Sequence, residues 1–479
     1  MKNQTKEKQK SLTSLNSRSF ISVVIILVLM IATCGILSAV IPQGHFTRTP
    51  EGEIIAGTYT QGEIKPISIW KILSAPLRVF VADGGITIIM ISIFLLIMSG
   101  VFNLLDKTNG IKVIMNKMVA KFGDKKRLVI AICILFFMLF GSLFGLFEEL
   151  VTLLPFMIIF MLSLGLDSMT GLGVCLLAAC FGFSAAITNP FSIGIASSFA
   201  GISTSSGMWL RIIFFTLTYG VVCLFVLNYA KRISAKPDCS LTYQIDIEKR
   251  KSLILSSTEE SPKEKLIFKT YLIFFIVQFA VLISVALIRP ISGYAVPILA
   301  VSFLLGGIIA GLVVEDKKLN VFIHLGKGAL SMLPAILLIA LASSVSLIMT
   351  ESGILDTIMN GVINFLRDKD PFVSIIYIYL LILILQVFIG SASAKIFLVM
   401  PILLPICTAL NISPNLLILV YCIADGFSDV FLPTNPVLLI GLSMANVSYG
   451  KWVKWTWKIQ LAILVLSLGI LFFGVSIGY

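Results

Sequence analysis

The sequence predicts an all-α integral membrane fold of two inverted repeats, each with a re-entrant hairpin and a broken transmembrane helix. Three observations lead to this prediction. Of the 479 residues, 58% are hydrophobic and only 13% are charged, whereas soluble domains carry about 25% charged residues. Several apolar runs reach the roughly 20 residues that cross a bilayer. The triplet Thr-Asn-Pro occurs twice, at 188–190 and 434–436, each time inside such a run.

Composition also excludes other classes. The net charge of +12 does not indicate a nucleic-acid partner, because the positive residues cluster in short loops between apolar runs, as membrane orientation predicts. The eight cysteines have no metal-ligand spacing and are expected to be packing residues. The first apolar run, 20–41, is too long for a signal-peptide core, so we expect a retained signal-anchor helix.

The apolar runs predict about nine full crossings and two further stretches of a different kind. The crossings lie near 20–41, 86–105, 171–203, 208–230, 266–288, 294–314, 330–350, 414–447 and 456–477. The other stretches, 128–164 and 373–410, are each interrupted by small and charged residues and then continue with proline. An interrupted helix leaves backbone groups without partners in lipid, so these stretches need another arrangement.

Loop charge predicts the orientation. Segments 1–18, 106–127 and 231–265 carry five, seven and eight Lys or Arg, whereas loops 43–67 and 351–371 carry two each. The positive-inside bias therefore places the first three in the cytoplasm and the last two outside. We expect a protein of the cell membrane with a cytoplasmic N-terminus and a C-terminus outside.

The same orientation predicts that the two interrupted stretches are hairpins. Between the cytoplasmic loops the chain must cross an even number of times, and two crossings are already present. The first hairpin, 128–164, is expected to enter from the cytoplasm and turn near 145–149. The second, 373–410, is expected to enter from outside and turn near 390–395.

An internal repeat relates the two halves at an offset of 246 residues, without a gap from 145 to 209. Opposite charge bias in the preceding segments indicates that the halves are inverted. The matching positions are Pro155 with Pro401, Phe181 with Phe427, Thr188-Asn189-Pro190 with Thr434-Asn435-Pro436, and Trp209 with Trp455. Segments 68–82 and 314–328 are expected to be equivalent amphipathic helices in the interface plane.

The repeat predicts the division of the chain into parts. These are a cytoplasmic N-terminus (1–19), a first repeat (20–230, with hairpin 128–164 and broken helix 171–203), a flexible cytoplasmic linker (231–265), a connecting transmembrane helix (266–288), and a second repeat (294–477, with hairpin 373–410 and broken helix 414–447).

Each Thr-Asn-Pro triplet is predicted to interrupt its helix and so to expose polar groups that bind a solute or an ion. Pro190 and Pro436 each remove a backbone donor and free carbonyls near residues 186 and 432. Inverted repeats with discontinuous helices are typical of secondary transporters, whose site lies near the midplane. The alternative is a packing kink in which Thr and Asn bond back to the backbone.

The freed carbonyls and nearby side chains offer oxygen ligands for Na⁺, and the half-helix N-termini offer partial positive charge for a carboxylate. We place the candidate Na⁺ positions at Asn189 and Asn435. The binding side chains at the two breaks are Thr188, Asn189, Thr434 and Asn435.

Charged and hydroxyl residues are expected at both hairpin tips and beside the second break. They are Glu148 and Glu149 at the first tip, Ser391, Ser393 and Lys395 at the second, and Asp425 with Asp429 before the break. Because a lone charge would be costly there, we expect Lys395 to pair with Asp429. The alternative for Glu148 and Lys395 is a purely structural ion pair that locks hairpin to helix.

The stretches G-L-F-E-E-L (145–150) and G-F-S-A-A-I-T-N-P-F-S-I-G-I-A (182–196) resemble the YfcC branch of the dicarboxylate anaerobic carrier family, as do A-D-G-F-S-D-V-F-L-P-T-N-P (424–436) and Y-G-K-W (449–452). The resemblance spans nearly the whole chain. It implies the ion-transporter superfamily, a homodimer, and elevator-type movement of a transport domain against a scaffold. It also implies dicarboxylates, amino acids such as arginine exchanged for ornithine, or other small carboxylates as substrates.

Carried over by position, Glu148 and Glu149 match the family's acidic tip, the two triplets match its helix breaks, and Asp425 matches the aspartate of its G-D-G-F-S-N motif. Two positions depart from the pattern. Asp429 replaces the motif's Asn, and Lys395 replaces the Gln of an S-G-S-G-Q-A hairpin. These departures add one acid and one base and leave the substrate open.

We expect a secondary active transporter of a small carboxylated metabolite, with Na⁺ or H⁺ coupling or exchange and no cofactor. Four acids against one lysine favour an amino acid over a dicarboxylate. A dicarboxylate carrier of the same fold and a passive anion channel are the alternatives. An enzyme is not expected, because the two histidines lie away from the breaks, and ATP does not drive the protein directly, since no phosphate-binding loop is present.

Overall fold

The computed structural model describes most of the chain, and α-helices account for nearly all of its regular structure. The described residues are 17–48, 55, 57–82, 85–114, 117, 123–253, 262–288, 294–366 and 369–479. Residues 1–16 of the predicted N-terminal segment lie outside these ranges. The strands β1 (Gly44–His45) and β2 (Thr60–Gln61) form one short antiparallel pair.

Nine helices of the first half have both of their ends within the described ranges. They are α1 (Ser17–Val40), α2 (Ile69–Arg78), α3 (Gly85–Lys107), α4 (Lys126–Leu139), α5 (Leu154–Ser163), α6 (Ser168–Leu172), α7 (Ala178–Ser184), α8 (Ile195–Phe199) and α9 (Met208–Ala235). Short 3₁₀ or π turns lie at Gly123–Lys125, Phe140–Phe144, Glu149–Leu153, Gly173–Leu177 and Pro190–Gly194.

The linker and the second half continue with further helices. They are α10 (Tyr243–Leu253), α11 (Pro262–Leu287), α12 (Ala295–Val314), α13 (Lys318–Leu330), α14 (Leu333–Glu351), α15 (Ile354–Leu366), α16 (Pro371–Phe388), α17 (Ala392–Ala409), α18 (Pro414–Asp429), α19 (Pro436–Ala445) and α20 (Tyr449–Ser476). A 3₁₀ turn, Pro237–Cys239, precedes α10.

Nine helical segments in the described part of the chain are long and apolar enough to cross a membrane. The predicted number is confirmed, but two members of the set differ. The first arms of the hairpins, Gly123–Phe144 and Pro371–Phe388, reach the required length. The broken helices instead appear as shorter apolar pieces, because the chain leaves helical geometry near 185–189 and 430–435.

Helix packing follows the two-fold relation that the repeat predicts. Helix α1 of the first half packs against α14 of the second, and their counterparts α12 and α3 pack against each other in the same way. The amphipathic helices follow the same rule, since α2 packs against α14 and α13 packs against α3. On the axis itself α7 meets α18 and α9 meets α20. Cys180 Sγ lies 3.1 Å from the carbonyl oxygen of Gly426, its counterpart at the 246-residue offset.

The crossing of α7 and α18 requires a glycine. A Cβ atom on Gly426 would lie 2.5 Å from the backbone of Ser184, which is far inside van der Waals contact. The hydroxyl of Ser184 also donates to the carbonyl of Ile423 at 2.9 Å. The two broken helices are therefore held face to face at the centre of the molecule.

The two hairpins open toward opposite ends of the molecule. Residues 123–128, where the first hairpin begins, line one cavity together with Leu166, which follows it. At the second hairpin, Phe372 packs on Phe472 with ring centroids 5.8 Å apart, and the Ser413 hydroxyl donates to the Tyr479 carbonyl. Both ends of that hairpin therefore lie beside the last turns of α20, as a re-entrant hairpin requires.

The expectation of a flexible linker is wrong for residues 237–253, which fold against both halves. Asp246 accepts from the Ser168 amide at 3.0 Å and from the Thr242 hydroxyl at 2.6 Å. Lys249 Nζ donates to the Ala445 carbonyl at 2.8 Å. Burial raises the pKa of Asp246 and lowers the pKa of Lys249 to about 8. The sequence prediction failed because polar composition does not reveal that these charges are buried.

Candidate functional site

The first break is built around an asparagine that restarts the helix. Asn189 Oδ1 accepts from the amides of Phe191 at 2.9 Å and Ser192 at 3.3 Å. This is the geometry of an N-cap, and Pro190 at the first helical position needs no donor there. The triplet therefore ends one half-helix and begins the next without leaving the new amides unpaired.

The second break repeats this geometry at the predicted offset. Asn435 Oδ1 accepts from the amides of Val437 at 2.8 Å and Leu438 at 3.3 Å. Both Asn435 and the neighbouring Thr434 are buried. The oxygen of each cap asparagine is thus committed to the backbone, which limits what it can offer to a bound Na⁺.

The first hairpin holds the first break in place. The Ser142 carbonyl accepts from three successive amides, of residues 187, 188 and 189, at 3.0, 3.3 and 3.2 Å. The Thr188 hydroxyl donates to the Leu143 carbonyl at 3.0 Å. Gly145 ends this turn at a φ of +69°, and a Cβ atom there would lie 2.2 Å from Asn189 Oδ1. The tip therefore needs glycine for both conformation and space.

Sequence reasoning missed the donors that satisfy the break carbonyls. Buried Arg211 donates from Nη1 to the Ile187 carbonyl at 2.8 Å, and from Nη2 to the carbonyls of Thr204 and Ser206 at 2.7 Å each. An arginine within the apolar run 208–230 was the available signal, since a buried guanidinium needs acceptors.

The second break uses aromatic donors instead. Trp452 Nε1 donates to the Val430 carbonyl at 2.6 Å, and the Tyr449 hydroxyl donates to the Phe431 carbonyl at 2.6 Å. Several carbonyls near the breaks therefore already have protein partners and are not open to an ion. The side chains belong to the Y-G-K-W stretch, whose role the sequence did not reveal.

The predicted pairing of Lys395 with Asp429 is wrong, because Lys395 forms its ion pair with Asp425. The Tyr421 hydroxyl donates to the Ala392 carbonyl at 2.6 Å, which fixes the start of α17 beside α18. One turn further along both helices, Lys395 then faces Asp425. Asp429 Oδ1 instead accepts from Gln386 Nε2 at 2.5 Å and Asn435 Nδ2 at 2.8 Å.

Each hairpin tip meets the break of the other half. At the second tip, Ser391 caps α17 by accepting from the Ala394 amide at 3.3 Å, and the Ser393 hydroxyl donates to the Phe191 carbonyl at 3.3 Å. At the first tip, Glu148 lines an apolar cavity together with Val437 of α19. The candidate residues from distant parts of the sequence are thus brought into one region.

The two tip glutamates have different surroundings. Glu148 is exposed and lines this cavity together with residues of α3, α12 and α19, whereas Glu149 is buried. Within the described ranges neither glutamate forms an ion pair. The structural ion pair considered as the alternative is therefore not observed for Glu148, whereas the pair of Lys395 with Asp425 does join hairpin to helix. No group of three or more His, Cys, Asp or Glu that could hold a metal occurs among the described residues.

Two solved membrane proteins are similar along their length. MtrF of Neisseria gonorrhoeae, described with a class of antimetabolite efflux pumps, covers 94% of both chains at 17% identity and a TM-score of 0.42. The YdaH transporter of Alcanivorax borkumensis covers 96% of this chain and 99% of its own at 17% identity, with a TM-score of 0.42.

Curated relatives are similar at the level of sequence. A protein of Escherichia coli (strain K12) named "Putative basic amino acid antiporter YfcC" is 26% identical over 379 residues, which cover 77% of this chain and 74% of the relative. An uncharacterized protein of Haemophilus influenzae is 25% identical over 405 residues, covering 84% and 77%.

The family model described as DcuC, C4-dicarboxylate anaerobic carrier, matches residues 20–476. This span includes both hairpins, both breaks and the linker between the halves. The chain therefore belongs to the C4-dicarboxylate anaerobic carrier family, and it is a multi-pass membrane transporter of a small molecule and not an enzyme.

Proposed function

We propose that this transporter is a secondary active exchanger of small carboxylated metabolites, with a basic amino acid favoured over a dicarboxylate. The observation that carries the proposal is the setting of Glu148. Glu148 lines an apolar cavity and forms no ion pair among the described residues. An unpaired carboxylate in such surroundings is costly unless a cation reaches it, and a ligand amino group supplies that cation.

A second group suits the other end of an amino acid. Val437, in the first turn of α19, lines the same cavity as Glu148. The N-terminus of a helix carries partial positive charge that attracts a carboxylate, although the amides of Val437 and Leu438 already donate to Asn435. A carboxylate and a helix N-terminus in one region therefore favour a zwitterion over a dianion. The E. coli relative that is named a basic amino acid antiporter supports the same choice.

The test is counterflow into proteoliposomes that contain the purified protein. We expect rapid uptake of labelled arginine when the vesicles are loaded with arginine or ornithine, and slow uptake when they are loaded with succinate. Substituting Glu148→Gln should lower arginine uptake about tenfold or more, because a lost hydrogen bond to a charged group costs about 1.5–3 kcal/mol. Glu248→Gln is the control, since Glu248 is an exposed carboxylate on α10.

A dicarboxylate carrier is the second candidate, and the description of the matching family favours it. The buried cations Lys395 and Arg211 also favour an anionic ligand, although both already have protein partners. Succinate counterflow that exceeds arginine counterflow would contradict the first candidate and support this one. Repeating both assays with and without a sodium gradient tests Na⁺ coupling.

We further propose a homodimer in the cell membrane with a cytoplasmic N-terminus and a C-terminus outside. Loop charge supports this orientation. Leu241 in the linker accepts from Lys451 Nζ at 2.7 Å, so the linker and the start of α20 share one end, while Tyr479 lies at the other. Light scattering of the detergent-solubilised protein measures the oligomeric state, and a monomeric mass contradicts the dimer.

A further inference from the structure

We propose that Lys395 is a built-in cation that fills a cation-binding position in the second half, so that this half needs no bound sodium ion. The inference concerns coupling and requires only that the chain is a transporter, whichever solute it carries.

The helix that pairs with Lys395 carries oxygen ligands of the kind that a hard cation prefers. Asp425 and Asp429 lie four residues apart on α18 and are 1% and 5% exposed. Gln386 Oε1 is buried without a hydrogen-bond partner among the described residues. Carboxylate and carbonyl oxygens of this kind bind Na⁺ or Ca²⁺ when no protein cation is present. Two neighbouring buried carboxylates also repel each other unless a positive charge lies beside them.

Lys395 supplies that positive charge from within the chain. Its side chain is fully buried, and its ammonium group forms the ion pair with Asp425. An ammonium group is a compact point charge that can replace a small monovalent cation. Asp429 accepts from two amide groups, Gln386 and Asn435, so its charge is stabilised without a metal ion.

In its described part, the first half has no lysine paired with carboxylates of its broken helix, so the built-in positive charge is specific to the second half. The 246-residue offset places Glu149 at the position of Lys395, and Ala179 and Phe183 at the positions of Asp425 and Asp429. The first half therefore has a carboxylate at its tip and no acids on its helix. Asn189 Nδ2 and Ser192 Oγ are buried there without partners among the described residues. Any ion that the first half binds leaves the role of Lys395 unchanged.

The experiment removes the built-in cation and supplies one from solution. The melting temperature of the purified protein is measured in sodium chloride, methylammonium chloride and choline chloride at equal ionic strength. We expect Lys395→Ala to gain a saturable stabilisation by sodium or methylammonium beyond that of the wild type. At ten times the dissociation constant the additional rise should be roughly 2 °C or more.

The double variant Lys395→Ala/Asp425→Asn is the matched control, and it should lose the additional response because one carboxylate is gone. Lys395→Gln serves the same purpose if the alanine variant does not fold, since it keeps most of the side-chain volume. An identical cation response in the single variant and the wild type overturns the proposal. So does an additional response that persists in the double variant.

This assay does not depend on the proposed substrate. Failure of arginine counterflow contradicts the proposed function alone, whereas the melting measurements decide the role of Lys395 separately.

Discussion

At the scale of single residues, the equivalent asparagines of the two halves make different contacts. Asn189 and Asn435 both cap a half-helix through Oδ1. Only Asn435 also donates from Nδ2 to a carboxylate, that of Asp429, whereas Asn189 Nδ2 has no partner among the described residues. The cap is therefore shared by the two halves, and the contact with a buried charge is not.

This difference predicts unequal effects of one substitution. Aspartate caps a helix as well as asparagine does, so Asn189→Asp keeps its cap and loses no hydrogen bond. Asn435→Asp loses the donor to Asp429 and places a second carboxylate against it. We expect the larger loss of uptake, about tenfold or more, for Asn435→Asp, because a hydrogen bond to a charged group contributes about 1.5–3 kcal/mol.

Counterflow and melting temperature of both variants check this expectation, with the alanine variants as a reference for loss of the cap, which costs about 1 kcal/mol. Equal activity of Asn189→Asp and Asn435→Asp would show that the contact with Asp429 does not matter for transport.

Arg211 gives a second prediction at this scale. The Arg211→Met variant leaves the carbonyls of Ile187, Thr204 and Ser206 without their donor, and each orphaned buried acceptor costs about 1–3 kcal/mol. We expect a lower melting temperature and loss of uptake. Arg232→Met, an exposed arginine on the same helix α9, should resemble the wild type. A stable and active Arg211→Met variant would exclude the proposed role in holding the first break.

At the scale of elements, the linker differs most from its predicted role, because it docks on both halves. Helix α10 contacts Ser168, at the start of the first broken helix, and Ala445, at the end of the second. Asp167, which caps α6, also accepts from Tyr229 and Ser240 at 2.6 Å each. The linker therefore joins the outer ends of both broken helices instead of only connecting the halves.

Removing one charge should undock this helix. Asp246→Ala removes the carboxylate that accepts from Ser168 and Thr242, and each lost hydrogen bond to a charged group costs about 1.5–3 kcal/mol. We expect hydrogen exchange of the α10 amides to become at least tenfold faster than in the wild type. Glu248→Ala on the exposed face of the same helix should leave exchange unchanged. Unaltered protection in Asp246→Ala would mean that the docking does not depend on this charge.

At the scale of the whole molecule, different segments of the chain lie at the two ends. The linker, Leu166 and the start of α20 share one end, whereas Gly207, Ser413 and Tyr479 meet at the other, where the Tyr479 hydroxyl donates to the Gly207 carbonyl. The hairpins open toward opposite ends, as inversion requires. Determining which side of the membrane one exposed residue faces therefore fixes the orientation of the whole molecule.

Cys239 is such a residue. It is exposed, whereas six other cysteines are buried and Cys133 is partly buried. With intact cells we expect a membrane-impermeant maleimide to leave Cys239 unlabelled, and to label it after lysis. Thr60→Cys in a Cys239→Ser background should react in intact cells, because residue 60 is exposed in the loop assigned to the outside. Labelling of Cys239 in intact cells would reverse the proposed orientation.

The membrane class, the number of long apolar helices, the repeat and the positions of both helix breaks can be predicted from the sequence alone. These features depend on composition and on short-range relations, since each asparagine caps amides only two and three residues ahead. A local pattern is visible in a local stretch of sequence.

Which charged side chains contact each other depends on how the helices pack. Lys395 lies thirty residues from Asp425 and thirty-four from Asp429, and the choice between them depends on how α17 sits along α18. The hydrogen bonds donated by Arg211 and Trp452 likewise join segments that have no regular separation in the sequence. The same holds for the docking of the linker. Burial makes each of these contacts necessary, because an unpaired polar group is costly in a medium without water, but its partner is fixed only when the helices pack.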